Sequence, residues 1–385
     1  MLGAGVFVVF GPAAAAAGSG LMIGLAVAAL VAYCNATSSA RLAANYPRAG
    51  GAYLYGRERL GRFWGYLAGW CFVVGKTASC AAMALTVGLY AWPDHAHAVA
   101  VAAVAGLTAV NYRGIHKSAL ATRLIVAVVL AVLAGVLAAV LVSGRADPSR
   151  ITLAGGTATG VLQAAGLLFF AFAGYARIAT LGEEVRDPAR TIPRAIRIAL
   201  AITLAVYASL ALALLAILGT ELRSATAPLA DAVRAAGVPW LEPVVRVGAA
   251  VAALGALLSL ILGISRTGLA MARDGHLPSA LAVVHPRFAV PHRAEVAVGV
   301  IVAVVAALAD IRAAIGFSSF AVLAYYAIAN AAAWTLPHRG VLPGIGLAGC
   351  LLLAGCLPIG SVLTGTAVLA AGAVVYAVGA VVRRR

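Results

Sequence analysis

Apolar runs of about 20 residues recur along the chain, and the short segments between them carry most of its charge. A helix of that length crosses the hydrocarbon core of a bilayer, because each residue adds about 1.5 Å. The pattern predicts an all-α membrane protein with eleven spans. They lie at roughly 17–40, 62–91, 97–112, 121–143, 159–183, 195–219, 243–272, 294–311, 314–336, 341–359 and 361–382.

Composition agrees with a membrane protein and not with a soluble one. The 385 residues are 63% hydrophobic and 10% charged, with a mean hydropathy of +1.02. Such a chain lacks the polar residues that a water-exposed surface needs. The lipid bilayer is therefore the expected environment, and we expect a multi-pass protein of the plasma membrane.

The basic residues predict the orientation of the spans. If the segment 41–62 lies in the cytoplasm, twenty of the 28 Lys and Arg residues fall on the cytoplasmic side and six fall outside. Positive charge is distributed in this way in membrane proteins, so the C-terminus is expected to be cytoplasmic. The net charge of +16 then reflects topology, and nucleic-acid binding, which needs one basic soluble face, is not expected.

Residues with catalytic or metal-binding chemistry are scarce. Five cysteines lie in apolar helix without a CxxC pair, which is typical of small packing residues: Cys34, Cys71, Cys80, Cys350 and Cys356. The segment from Asp94 to His97 could hold a metal ion, but a solvated external loop is the favoured interpretation. Because no phosphate loop, Ser/His/Asp set or zinc signature occurs, we expect neither an enzyme nor a bound cofactor.

Two glycine-containing segments predict breaks in the helices. Residues 1–18 form an incomplete first span, which is counted here as span one, ahead of the eleven complete spans. Gly3-Ala4-Gly5 precedes its apolar run, and Ala173-Gly174 interrupts span six (159–183), five helices further on. Backbone groups freed by a break persist in a membrane only where protein or a cavity pairs them. The alternative is that these small residues merely allow close helix packing.

A separation of five helices is typical of transporters that are built from two inverted repeats and bind substrate between their broken helices. Amides at the start of a half-helix suit a carboxylate, and carbonyls at the end of a half-helix suit an ammonium group. A small molecule with both groups is an α-amino acid. The spacing therefore predicts a 5+5 core that binds an amino acid.

Six segments follow one another in the order GAGVF…GPAAAAAG, YPRAGGAYLYGRERLGRFWGYLAGW, NYRGIHKSA, FFAFAGYARIATLGEEVRDPARTIPRAI, ISRTGLAMARDGHLP and FAVLAYYAIANAAAW. In this order they resemble the amino acid–polyamine–organocation transporters, close to the cationic amino acid transporter branch. The resemblance covers nearly the whole chain and implies twelve spans, the first ten forming inverted repeats. We therefore expect repeats within 1–143 and 159–336, and two extra helices within 341–382.

The resemblance also implies how a substrate is held. Amides of the first break would bind its carboxylate, carbonyls near the second break would bind its amine, and Phe170 would close over it as the family's aromatic residue does. The break at Gly174 would create the amine site. The implied substrate-binding residues are Gly3, Ala4, Gly5, Phe170, Ala171, Ala173 and Gly174.

The charged end of the span-six motif is expected to form an inner loop. Glu183 and Glu184 can pair with basic residues at the membrane exit, while Pro188 and Pro193 are expected to end helices. The arginines of this segment would keep the loop in the cytoplasm. A role in topology and in an inner gate is favoured over contact with substrate.

The sequence departs from the family at charged positions of the core. Ala176 stands where many relatives carry an acidic residue, and Val129 matches a span-five lysine of proton-coupled relatives. Instead, Lys76 lies within span three and Arg177 follows Ala176, and a charge at mid-membrane is functional by default. We hypothesise that Lys76 is a fixed or titrating cation beside the site; the alternative is a structural cation held by helix-end carbonyls. Arg177 is expected to be neutralised by Glu184.

The first span carries a separate expectation. Residues 1–18 form about half a span, and the family's inner half-helix of about ten residues is missing before Met1. We expect translation to start upstream, because the other motifs show no decay; the alternative is a truncated protein that is inactive as a carrier. A cleaved signal peptide is disfavoured, because no basic segment precedes the apolar stretch.

Together these features predict a secondary active carrier of an amino acid or related organocation, working by alternating access with proton symport or exchange. A small-molecule amino acid and a proton are its expected partners. Sodium coupling is disfavoured, since span eight offers Ser259 and Ser265 without an adjacent Ser/Thr pair. With Ala176 in place of an acidic residue, neutral amino acids remain candidate substrates. The alternative from another class is a non-transporting membrane sensor or subunit on the same scaffold.

Overall fold

A computed structural model of the protein describes residues 3–46, 50–114, 119–151, 156–174, 187–337 and 340–382. Within these ranges the chain is helical and has no strands, as predicted. The helices are α1 (Gly5–Val8), α2 (Phe10–Ala17), α3 (Leu21–Asn45), α4 (Ala52–Leu60), α5 (Arg62–Ala91), α6 (Ala96–Tyr112), α7 (Ala119–Val142), α8 (Ala158–Phe172), α9 (Pro188–Leu218), α10 (Pro228–Ala235), α11 (Glu242–Arg273), α12 (His292–Leu308), α13 (Ile311–Trp334), α14 (Val341–Cys356) and α15 (Ile359–Val382).

Seven helical segments of the described chain are long and apolar enough to cross a membrane. They are Phe10–Asn45, Arg62–Ala91, Leu120–Val142, Arg190–Arg223, Pro239–Arg273, Ile311–Trp334 and Ile359–Gly379. Two shorter apolar helices, α8 and α14, accompany them. The protein is therefore a multi-pass membrane protein.

Helix ends follow the predicted spans most closely where glycine or proline marks the boundary. The predicted span 62–91 coincides with α5, which starts directly after Gly61 (φ +105°) and ends before Pro93. By contrast, α3 begins at Leu21 and not near residue 17. Gly18, with φ +56°, ends α2, and a short 3-10 turn follows it.

The expectation that Pro188 and Pro193 end helices is wrong. Pro188 is the first residue of α9, and Pro193 lies inside the same helix. Proline suits the first helical position, because the N–H that it lacks would have no partner within the helix. Pro193 removes one backbone hydrogen bond, a loss that helices of membrane proteins tolerate.

Two helices lie in segments that the hydropathy pattern assigns to loops. α4 combines the buried residues Tyr53, Leu54 and Tyr55 with charged residues in its last turn. α10 likewise buries Leu229 and Val233, leaves Asp231 partly buried and exposes Arg234. Such short amphipathic helices are missed by a search for span-length apolar runs.

The centre of the bundle is formed by α5 and α13, whereas α15 lies at its edge. In the most apolar part of each helix, 72% of residues are buried in α5 and in α13, against 11% in α15. Small residues let the central helices approach closely. A Cβ on Gly75 would lie 2.8 Å from the Cβ of Ala321, and the hydroxyls of Ser79 and Ser318 are 2.6 Å apart. Lys76 is therefore carried into the interior by α5.

Candidate functional site

The first predicted break lies at the start of α1. Gly3 and Ala4 form a bend and a turn, and α1 begins at Gly5, which differs from the expectation that Gly5 is itself unwound. Ala4 offers no side-chain cap, and the N–H of Phe7 donates to the Ala4 carbonyl over 3.0 Å. Because α2 follows α1 almost at once, these first amides lie at the positive end of a helical stretch.

The second predicted break lies at the end of α8. The helix ends at Phe172, and Ala173 and Gly174 enter a 3-10 turn. The N–H of Ala173 still donates to the carbonyl of Phe169. Carbonyls of the last helical turn have no further donors within a helix that stops. The end of α8 therefore presents backbone acceptors at its negative pole.

The two breaks meet in the interior of the protein. A Cβ on Gly5 would lie 2.9 Å from the Cα of Ala171 and 3.5 Å from Cδ1 of Phe170. This distance leaves no room for a side chain, so glycine permits the approach. On the α11 side, a Cβ on Gly3 would lie 3.5 Å from the Cβ of Ala256. The structure thus brings together the two backbone segments that the sequence singles out.

Lys76 reaches the end of α8 from α5. Its ammonium nitrogen donates to the carbonyl oxygen of Ala173 over 3.3 Å, and the residue is 6% exposed. Within the described ranges it forms no ion pair. A cation is favourable at the negative end of a helix. The contact fits both the predicted cation beside the site and the alternative of a structural cation held by helix-end carbonyls.

Two tyrosines outside the sequence motifs also donate to the backbone of the breaks. Tyr207 of α9 donates its hydroxyl to the carbonyl of Ala171 over 3.1 Å. Tyr90 of α5 donates to the carbonyl of Phe7 over 2.7 Å. Both side chains are fully buried. A buried tyrosine hydroxyl needs a partner, so a tyrosine inside an apolar span was the available signal.

The remaining predicted residues add little to this site. Those that lie outside the described ranges are Ala176, Arg177, Glu183 and Glu184. Val129 is fully buried in α7, while Ser259 and Ser265 donate to carbonyls of their own helix. His97 lies 2.8 Å from the carbonyl of Ala306. The part of the chain that the structure describes holds no group of three His, Cys, Asp or Glu that could bind a metal ion, and all five cysteines are free.

Comparison with known proteins agrees with this geometry. Residues 1–382 match the sequence model of the family described as amino acid permease. The chain belongs to this family. An uncharacterized transporter of Mycobacterium tuberculosis is 67% identical to this permease over 100% of the chain and 89% of its own length.

More distant relatives of this permease have more specific names. Branched-chain amino acid permease BcaP of Bacillus subtilis is 25% identical over 91% of this chain and 83% of its own. Cationic amino acid transporter 4 of Homo sapiens is 29% identical over 85% of this chain and 56% of its own. The resemblance inferred from the motifs is confirmed by the family match, and all three relatives are named as transporters or permeases.

Proposed function

We propose that this permease is a secondary active carrier that moves an amino acid across the plasma membrane by alternating access. The observation that carries the proposal is the meeting of the two helix breaks, where Gly5 packs on Ala171. Amide donors at one break and carbonyl acceptors at the other are complementary to the carboxylate and the ammonium group of an α-amino acid. The names of two relatives, which refer to amino acids, support the same substrate class.

The carboxylate end is assigned to the backbone amides of Gly3, Ala4 and Gly5. Ala4 is fully buried, and no side chain in this segment competes for the N–H groups. Away from bulk water, backbone donors interact more strongly with an anion than they do in water. Phe170, whose ring lies against Gly5, is the aromatic side chain suited to close over the substrate.

The amine end is assigned to the carbonyls of Phe170, Ala171 and Ala173, next to the break at Gly174. One hydrogen bond already reaches Ala171, from a tyrosine, and one reaches Ala173, from a lysine. A carbonyl oxygen has two lone pairs, so neither of these two bonds by itself fills its carbonyl. A substrate ammonium group would take a second lone pair there.

Coupling to protons, by symport or exchange, is assigned to Lys76. It is buried, it contacts the end of α8, and it pairs with no carboxylate of the described chain. A desolvated charge of this kind is sensitive to the charge of a neighbouring ligand. The proposal further includes Arg177 as a second intramembrane charge, and Glu183 and Glu184 as part of an inner gate loop.

The helices divide into the two halves that alternating access needs. Helices α1 to α7 would form one inverted repeat, within 1–143, and α8 to α13 the other, within 159–336. The last two helices, within 341–382, would stand outside the repeats. In this arrangement each break lies in the first span of its repeat, at the start of α1 and at the end of α8, and rocking of one helix group against the other exposes the site to each side in turn.

The test is uptake of radiolabelled amino acids by proteoliposomes, with and without an imposed pH gradient. We expect uptake of at least one α-amino acid, and a faster rate when the gradient drives protons in the same direction. The methyl ester of the transported amino acid, and its deaminated analogue, should not compete, because each lacks one of the two charged groups. If no standard amino acid is transported or raises the Tm of the purified protein, the proposal is wrong.

A further inference from the structure

Lys76 is a buried cation, and the residues that the structure describes around it place no carboxylate beside it. Its ammonium group donates to a neutral carbonyl, that of Ala173, 3.3 Å away. Asp and Glu are absent from α5 itself and from α1, α2, α8 and α13. The one acidic residue of α11 is Glu242, at its first position, where it pairs with two arginines. Glu295 of α12 forms no ion pair with Lys76.

A buried ammonium group such as that of Lys76 is stabilised by a negative charge nearby. Moving an ammonium group out of water is costly, and membrane proteins offset the cost by pairing the charge or by exposing it to a wet cavity. One carbonyl bond and the negative end of α8 compensate for part of it. At 6% exposure, Lys76 gains little from water. A carboxylate on a bound molecule would complete its environment.

We propose that Lys76 determines the charge class of the substrate, and that the site prefers an amino acid with an acidic side chain. This inference rests on the proposed function, in which the two breaks bind the α-carboxylate and the α-amine. Among the described residues no carboxylate pairs with Lys76, and a substrate amine bound at Ala173 would add a second positive charge at the end of α8. A side-chain carboxylate would offset these two charges, whereas a cationic side chain would add a third.

The position of Lys76 at the amine end supports this assignment. Lys76 bonds the carbonyl of Ala173, one of the groups assigned to the substrate amine. The amine, the carboxylate and the side chain of an α-amino acid all leave the same carbon atom. With the amine bound at Ala173, the side chain therefore starts near Lys76, and the α-carboxylate is already engaged at the other break. Lys76 is therefore a specificity-determining residue for the side chain.

The test compares L-glutamate, L-glutamine and L-lysine, because glutamate and glutamine differ in charge while sharing nearly the same shape. In proteoliposomes of the wild type, we expect uptake of glutamate. We expect glutamate to compete at least about tenfold better than glutamine, and lysine to compete least. Because Lys76 is also assigned to proton coupling, binding to purified Lys76→Met is measured by the shift in Tm, and glutamate and glutamine should raise the Tm about equally. Lys76→Arg keeps the charge and should preserve the order of the three ligands.

The matched control is Thr86→Val, which removes another buried polar side chain of α5, one that bonds the carbonyl of Ala82 in its own helix. It should leave the ligand order unchanged. Lysine competing as well as glutamate in the wild type would overturn the inference while supporting amino acid transport. An unchanged preference for glutamate in Lys76→Met would also overturn it.

Two other results are distinguishable from these. If no amino acid is transported or bound, the proposed function fails, and the inference fails with it. If Lys76→Met does not yield folded protein by size-exclusion chromatography, the order of the three ligands in the wild type decides the question. A wild-type order led by glutamate supports the inference, and any other order overturns it.

Discussion

Adding one methyl group at Gly5 should push the two helix breaks apart. In Gly5→Ala, the new Cβ would lie 2.9 Å from the Cα of Ala171 and 3.0 Å from its Cβ. Carbon atoms in contact normally lie about 3.5–4.0 Å apart, so the start of α1 or the end of α8 must move by roughly 0.5–1 Å. Because the nearest atom belongs to the backbone, rotation of a side chain cannot relieve the contact.

The size of the effect follows from two opposing contributions. Overpacking of a tight contact costs about 1–3 kcal/mol, while replacing glycine by alanine in a helix gains about 0.5–1 kcal/mol. Gly5 is the first helical residue, so the gain is at the lower end. About 0.5–2.5 kcal/mol of strain remains, and if it falls on the substrate geometry, uptake should decrease about 2- to 70-fold.

The assay is the initial rate of amino acid uptake at a substrate concentration well below KM, together with the Tm of the purified protein. Gly106→Ala is the matched control, because nothing lies within 4 Å of a Cβ at Gly106 in α6. The double variant Gly5→Ala/Ala171→Gly removes the opposing Cβ and should recover part of the rate. Uptake by Gly5→Ala within twofold of Gly106→Ala would refute the view that transport needs this close approach.

Three further outcomes concern charged side chains at the ends of helices. Glu242→Gln should lower the Tm, because Arg234 donates to both carboxylate oxygens of Glu242 at 2.7 and 3.2 Å. In this half-exposed pair we expect the free energy of unfolding to fall by about 1–2 kcal/mol, and an unchanged Tm would contradict the prediction. Burial raises the pKa of the Asp231 carboxyl. The folded protein therefore binds a proton at Asp231 more tightly than the unfolded chain does, so at neutral pH the ionised carboxylate lowers the free energy of unfolding. Asp231→Asn should therefore raise the Tm at neutral pH, with a gain that disappears as the pH falls below the ordinary carboxyl range; a constant gain would argue against burial as the cause. Asp274→Asn should speed hydrogen exchange in α4, since Asp274 accepts a hydrogen bond from the Tyr53 hydroxyl; equal exchange rates would show that this bond does not hold α4 in place.

Span ends could be predicted where a helix-breaking residue stands at the boundary. Gly61 and Pro93 flank α5, and the predicted span 62–91 and the helix coincide. Pro188 shows the limit of that reasoning, because proline disrupts a helix only beyond its first turn and otherwise favours its start. Whether a proline begins or ends a helix depends on the residues on both sides, and an apolar pattern does not reveal which.

The sequence singled out the two glycine-containing segments that the structure packs together, but it did not reveal the side chains that contact them. Small residues interrupt apolar runs at both breaks, and the structure packs Gly5 on Ala171. The partner of Lys76 lies 97 positions away, and the hydroxyl of Tyr207 bonds a carbonyl 36 positions away. Such contacts depend on how each helix is rotated about its own axis. A helix that is apolar on all sides leaves that rotation undetermined in the sequence.

In the proposed carrier, the two donors at the end of α8 would respond differently to a bound molecule. The neutral hydroxyl of Tyr207 ties α8 to α9 whatever the charge of the substrate. The ammonium group of Lys76 ties α8 to α5, and this bond weakens when the group turns towards a carboxylate or gives up its proton. The proposed repeats place α5 and α8 in different halves of the carrier. In the proposed carrier, charge at Lys76 would therefore link occupancy of the site to the packing of one half against the other, and such differential contact is what a ligand needs in order to shift a conformational equilibrium.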